Sequence, residues 1–130
     1  MPRYTLEHLD DITILRLEGD VSSRRFWWFG ALDALLMRGR RRFVISLEAV
    51  SIGDNHEAGF LGGVARRIED FDGDLVFVAP VDLQAQATLR HTGLSKVFAF
   101  ASDVDAGTSE LRRRREDTPA ERLPGTTPAG

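Results

Sequence analysis

Asp54, Asn55, His56 and Glu57 stand in a row, and they are the polar cluster in this chain that invites a chemical reading. A metal centre needs three or more converging ligands. No second histidine motif supports this cluster, so no metal is expected. A His–Asp general base needs a nucleophile and a substrate pocket; neither is visible. Phosphorylation of His56 is chemically conceivable, but the sequence implies no phosphotransfer partner. The ordinary reading is a helix opening: Asp54 and Asn55 cap it, and His56 and Glu57 lie exposed in its first turn. Glu57 there suits the helix dipole. Helix openings also carry unpaired backbone N–H groups, which suit docking of a partner or of a phosphate. His8 and His91 are isolated and read as structural. Ser51, Thr92 and Ser95 place hydroxyls near loops, and nothing singles one out as a modification site. No catalytic residue and no cofactor is assigned, and an enzyme is not expected.

The cluster sits between two elements. Arg42 to Leu47 is a short apolar run of the kind buried on both faces of a sheet. Asn55 to Phe71 repeats Ala58, Leu61, Ala65 and Ile68 at helical spacing. Gly59, Gly62 and Gly63 weaken that helix by roughly 1 kcal/mol each relative to Ala, which suggests close packing of its backbone on the sheet.

Upstream, Tyr4 to Leu9 and Ile12 to Glu18 read as a hairpin joined by the Asp10-Asp11 turn. Arg24 to Arg38 reads as a helix capped by Ser22 or Ser23 and stopped by Gly39. Trp28, Ala31, Leu32 and Leu35 make one of its faces, and Phe26, Phe29 and Leu36 another. Of Trp27 and Trp28, one belongs to the core and the other offers an anchor for a partner or a second copy. Downstream come a strand at Leu75 to Ala79, a helix from Pro80 to about Thr92 closed by Gly93, a strand at Lys96 to Phe100, and a helix from Asp103 to about Arg115. The order is β-β-α-β-α-β-α-β-α, an α/β fold with a mixed, mostly parallel sheet and helices packed on it. Residues 1–117 form one domain, and the Pro- and Gly-rich stretch 118–130 reads as a disordered tail.

The chain has 130 residues, 42% of them hydrophobic and 28% charged, which suits a single globular domain. Cysteine is absent, so disulfides and thiol chemistry are excluded. No apolar run is long enough for a membrane span, and Met1 to Glu7 lacks a secretory h-region, so a cytoplasmic protein without direct membrane insertion is expected. A net charge of -3 favours no nucleic acid. Two arginine clusters, Arg38 with Arg40 to Arg42 and Arg112 to Arg115, lack interleaved aromatics and read as solvated helix ends and linkers.

Three patterns in this order resemble the STAS domain of bacterial anti-sigma factor antagonists. They are Leu17-Glu18-Gly19-Asp20-Val21, then Leu47-Glu48-Ala49-Val50-Ser51-Ile52-Gly53-Asp54, then Thr92-Gly93-Leu94-Ser95-Lys96-Val97-Phe98. The resemblance spans about residues 4 to 116. It implies a non-catalytic regulator of transcription that docks an anti-sigma factor or a serine-kinase-like regulator. In that family the aspartate of the second pattern precedes two hydroxyl residues, and the second of them is phosphorylated by the partner kinase. Here His56 stands at the phospho-acceptor position and Glu57 replaces the small residue after it. An imidazole is no substrate for serine phosphorylation, so a docking surface without its usual switch is expected. The resemblance assigns that surface to Gly53, Asp54, Asn55, His56, Glu57, Ala58 and Gly59, flanked by Asp20, Val21 and Ser22 and by Thr92, Gly93 and Leu94. On this reading charge reversal at Asp54 or a bulky residue at Ala58 abolishes partner capture and leaves the fold intact. Alternatives are a subunit or scaffold of a larger assembly, such as a lipid-transport ATPase complex or a stress-signalling particle, and a nucleotide-binding module. A homodimer is compatible with each.

Overall fold

The structure, a computed structural model, describes residues 3–20, 28–53 and 55–117, with the backbone alone at Asp20, Asn55, His56, Glu116 and Asp117. Capping of the first helix by Ser22 or Ser23, the helical reading of residues 24–27, and the tail at 118–130 lie outside these residues.

Strands β1 (Arg3–Leu9) and β2 (Ile12–Asp20) form an antiparallel hairpin in which Leu9 pairs with Ile12 across the Asp10-Asp11 turn. Asp10 takes φ 58, a left-handed conformation that aspartate tolerates better than most side chains. Then come α1 (Phe29–Met37), β3 (Arg42–Ser51), α2 (Asn55–Asp70), β4 (Asp74–Val78), α3 (Leu83–His91), α4 (Leu94–Val97), β5 (Phe100–Ala101) and α5 (Val104–Asp117). The five strands lie in the order β1-β2-β3-β4-β5, and β2 to β5 run parallel.

The alternation of side chains along β3 and β4 divides the core in two. Phe43, Ile45, Leu47 and Phe77 face a large cluster built with Trp28, Leu32 and Leu36 of the first helical segment and Leu61, Val64, Ala65 and Ile68 of α2. Val44, Val76 and Val78 face the opposite side with Ile12, Ile14 and Leu111 of α5. Among the described helices, α5 is the one that covers the second face. Trp28 is buried and meets Phe60 edge-on at 5.5 Å, while Phe29 is half-buried beside the same ring. Leu36 is buried too, so both faces of the helix proposed from sequence contribute to the core. Gly39, at φ 98, closes α1 as its sequence position predicts.

Three expectations change. First, β3 is longer than the predicted Arg42–Leu47 because the pairing of β2 with β3 shifts between Arg16 and Glu18. Two residues of β3, Leu47 and Glu48, lie opposite Leu17 alone. This bulge flips the alternation, so that Leu47, Val50 and Ile52 all reach the same cluster. Second, α3 begins at Leu83 rather than Pro80, since the Asp82 carboxylate accepts from Ala85 N–H at 2.9 Å and caps it. Third, Lys96 to Phe100 is not one strand. Phe98 N–H donates to Leu94 C=O, closing a one-turn helix, and only Phe100 and Ala101 pair with β4.

Candidate functional site

The C-terminal ends of the parallel strands bring the first two proposed segments together. Asp20, at the end of β2, pairs with Ser51 at the end of β3. The chain therefore leaves the sheet toward 21 and toward 53 side by side. Val21, Ser22 and Asp54 lie outside the described residues, as do the side chains of Asp20, Asn55 and His56. Asn55 and His56 form the first two residues of α2, so residue 56 stands in the opening turn of that helix.

Glu57 is the third residue of α2, and its carboxylate accepts from Gly53 N–H at 2.5 Å. The geometry is that of a capping box reaching one residue further out. A Cβ at 53 would lie 3.3 Å from the Glu57 carboxylate oxygen, so a side chain there would press on this contact. The chemical consequence concerns anions. The Gly53 N–H is already taken by a negative charge, so the opening of α2 offers less to a phosphate than the bare end of a helix would.

Ala58 does not belong to a surface. It is 0% exposed and packs in the large cluster beneath α2. The expectation that it contacts a partner is corrected accordingly, and a bulky residue there would disrupt the core rather than spare the fold. Gly59 is exposed, and a Cβ built on it or on Gly63 meets nothing within 4 Å. A Cβ on Gly62 would touch Leu94 at 3.5 Å and Phe98 at 3.9 Å. The glycines of α2 therefore face away from the sheet, against the expectation that they seat the helix on it.

Leu94 thus packs beside Gly62, seven residues into α2, roughly 10 Å along the axis from the helix start. Leu94, of the third proposed segment, therefore flanks the middle of α2 and not its opening. A shallow groove runs between them, lined by Gly62, Gly63, Arg66, Leu94, Val97 and Phe98.

Two exposed apolar residues escape the sequence reading. Val81, in the connection that leaves the C-terminal end of β4, is 72% exposed, and Leu83, the first residue of α3, is 77% exposed. Val81 N–H donates to the Glu48 C=O of β3, which ties this loop to the same end of the sheet. Reading Pro80 as the helix start hid them. Asp82 as the cap would have set Val81 and Leu83 at the rim.

Among the described residues, no group of three or more His, Asp and Glu side chains could hold a metal ion. No described helix is long and apolar enough to cross a membrane. The arginine clusters are largely engaged. Arg40 donates to Thr13 Oγ1 at 2.8 Å, Arg42 and Arg115 share Asp11, and Arg114 bridges Asp74 at 2.5 Å.

No protein-family model matches the chain, and no curated protein sequence matches it significantly. Its fold does match solved structures. An anti-sigma factor antagonist from Mycobacterium paratuberculosis superposes with TM-score 0.72 at 18% identity, over 86% of this chain and 95% of that one. The anti-sigma factor antagonist SpoIIAA in its unphosphorylated form gives 0.65 at 17% identity, over 88% and 97%. A chain of the stressosome, a signal integration and transduction hub, gives 0.64 at 18% identity, over 85% and 98%. The edge hairpin, the three parallel pairings that follow it and the helix opening after β3 are therefore those of a STAS fold, the architecture of the anti-sigma factor antagonists.

Proposed function

We propose that this chain is a non-catalytic regulatory binding protein that docks an anti-sigma factor or a kinase-like regulator through the turn and helix start at 53–59, in the cytoplasm, without the usual serine phosphorylation switch. One observation carries the reading. The first turns of α2, which follow the central strand β3, present a face without side chains at Gly59 and Gly63, and a partner can approach the helix backbone closely there. The likeness to solved antagonists supports the same surface. His56 supplies no hydroxyl at the switch position, and an acidic residue, Glu57, follows it in the sequence. The same Glu57 contact weighs against a nucleotide-binding module, because it occupies an N–H that an anion would use.

Gly59→Arg is the discriminating variant. An Arg side chain at 59 enters open space and improves helix propensity, so the fold keeps or gains stability by roughly 1 kcal/mol. The same side chain obstructs the bare face. With the chain as bait, affinity capture from native extract, with and without ATP, should retain an anti-sigma or kinase-like protein on the wild type and lose it on Gly59→Arg. Asp54→Arg should behave likewise. Equal capture by both variants would refute the site, and phosphate appearing on the bait with ATP would refute the absence of a switch.

A second reading, a subunit of a larger signalling assembly, is favoured by the likeness to a stressosome chain. It differs in predicting self-association.

A further inference from the structure

The connection between β4 and α3 is held from both sides. Val81 N–H donates to Glu48 C=O at 3.2 Å, and the Gln86 side-chain amide donates to Pro80 C=O at 2.8 Å. The Asp82 carboxylate caps α3 at Ala85 N–H, and Asp82 C=O accepts from Gln86 N–H at 3.0 Å. Pro80 itself is buried. Yet this fixed segment carries Val81 and Leu83, the two most exposed large apolar residues among those described. Exposed apolar side chains scattered singly are ordinary on a protein surface. Two of them, one residue apart on backbone that is already ordered, are placed for contact. A partner that covers them gives up little loop entropy, because the hydrogen bonds have fixed the loop beforehand.

Their position says which contact this is. β3 and β4 are parallel, and α2 and α3 follow their C-terminal ends. Ala58 and Leu61 of α2 and Ala85 and Leu89 of α3 enter the same core cluster, so both helices lie on one face of the sheet and open at one rim. The bond from Val81 to Glu48 ties the two exits together, since Glu48 lies three residues before Ser51, the last of β3. The charge beside the apolar pair is acidic. Glu48 and Asp82 take neutral partners, Ser46 Oγ and Ala85 N–H, so neither carboxylate is offset by an ion pair.

We infer that Val81 and Leu83 are an apolar anchor site on the surface that opens at α2, and that the partner docked there covers them with an apolar side chain flanked by Lys or Arg, which Glu48 and Asp82 meet. The inference rests on the reading of 53–59 as a docking turn and adds the chemistry that the partner must present. Removing the apolar pair from water supplies affinity, while the carboxylates beside it select a basic rim and speed the encounter.

The test places a benzophenone side chain at position 83 of the full chain, once in the wild-type background and once with Gly59→Arg. Both are irradiated in native extract, and the adduct is identified by mass spectrometry. The expected result is one protein joined to position 83, through a peptide that carries Lys or Arg, and its loss with Gly59→Arg. That protein, purified, is then titrated against Leu83→Asp and Glu48→Gln. Leu83→Asp should bind about tenfold more weakly, and Glu48→Gln should show a flatter dependence on salt. Aspartate in the first turn of α3 suits the helix dipole, so thermal unfolding of Leu83→Asp should match the wild type. If the wild-type chain captures a protein that Gly59→Arg loses, but position 83 forms no adduct with it or Leu83→Asp binds it undiminished, the anchor is overturned and docking at α2 stands. An adduct that survives Gly59→Arg overturns the shared surface, and a joined peptide without basic residues overturns the proposed chemistry. If Gly59→Arg costs no captured protein, the reading of 53–59 falls and this inference with it.

Discussion

Glu110 shows how single carboxylates in this protein are tied to arginine. Arg113 and Arg114 both donate to it from the next turn of α5, and these hydrogen bonds hold its carboxyl below the usual carboxylate range. A depressed folded value means that Glu110 contributes stability above the pKa it has in the unfolded chain, about 4.3, and that this is lost as pH falls through the lowered folded value. The group is half-exposed at the helix surface, so added salt screens the effect as well. The expected outcome is a melting-temperature advantage of the wild type over Glu110→Gln near neutral pH in low salt. It is lost as pH falls through the lowered folded value and shrinks in molar salt. Glu57 accepts from a backbone N–H, that of Gly53. Glu57→Ala frees the Gly53 N–H and should lower stability by about 1 kcal/mol in urea unfolding.

Among the elements, α2 and the turn after it make opposite demands on glycine. Gly63 faces open space, so Gly63→Ala should stabilise the fold by roughly 1 kcal/mol. Gly73 lies where a Cβ would stand 2.7 Å from Arg41 C=O and from Ile68 Cγ2, so Gly73→Ala must move β3 or α2 and should destabilise by roughly 1–3 kcal/mol. Urea unfolding of the two variants reads both signs. The sequence displays the glycines but not this difference, because spacing along a helix does not reveal which neighbour approaches. Strand and helix identities were legible where periodicity ran long, as in Ala58, Leu61, Ala65 and Ile68 of α2. The five-residue apolar run Lys96 to Phe100 was too short to separate a turn of helix from a strand. The length of β3 was hidden because the bulge at Leu47-Glu48 interrupts the alternation that marks a strand. At the candidate site, the position of residue 56 in the opening turn of α2 was readable, since the polar row after an apolar run marks a helix start. The burial of Ala58 was written in the same helical repeat that predicted the core. The displacement of Leu94 to the middle of α2 was not readable, since it depends on where α3 ends in space.

For the whole molecule, the second face of the sheet decides how the domain holds together. Ile12, Ile14, Val44, Val76 and Val78 are buried there under one helix, α5, whose buried apolar residue is Leu111. The helix comes close because Gly107 has no side chain: a Cβ would lie 3.2 Å from Val44 Cγ1. Around its C-terminal half runs a belt of charge, in which Arg112 meets Asp10, Arg115 and Arg42 meet Asp11, and Arg114 meets Asp74. Two effects therefore compete for the credit of docking α5. Exposed ion pairs contribute about 0–1 kcal/mol each and fade in salt. Removing a buried leucine side chain costs about 2–5 kcal/mol and is indifferent to salt. Arg42 sharpens the comparison, since its guanidinium also donates to Leu111 C=O and keeps that partner when Asp11 is neutralised. The magnitudes make Leu111 dominant. Leu111→Ala should cost several times what Asp11→Asn costs in urea unfolding, at both low and molar salt. It should also raise amide exchange across β3 and β4 and expose an apolar sheet face that binds a hydrophobic dye. If Asp11→Asn proved the costlier change at low salt, the ionic belt and not Leu111 would be what seats the last helix.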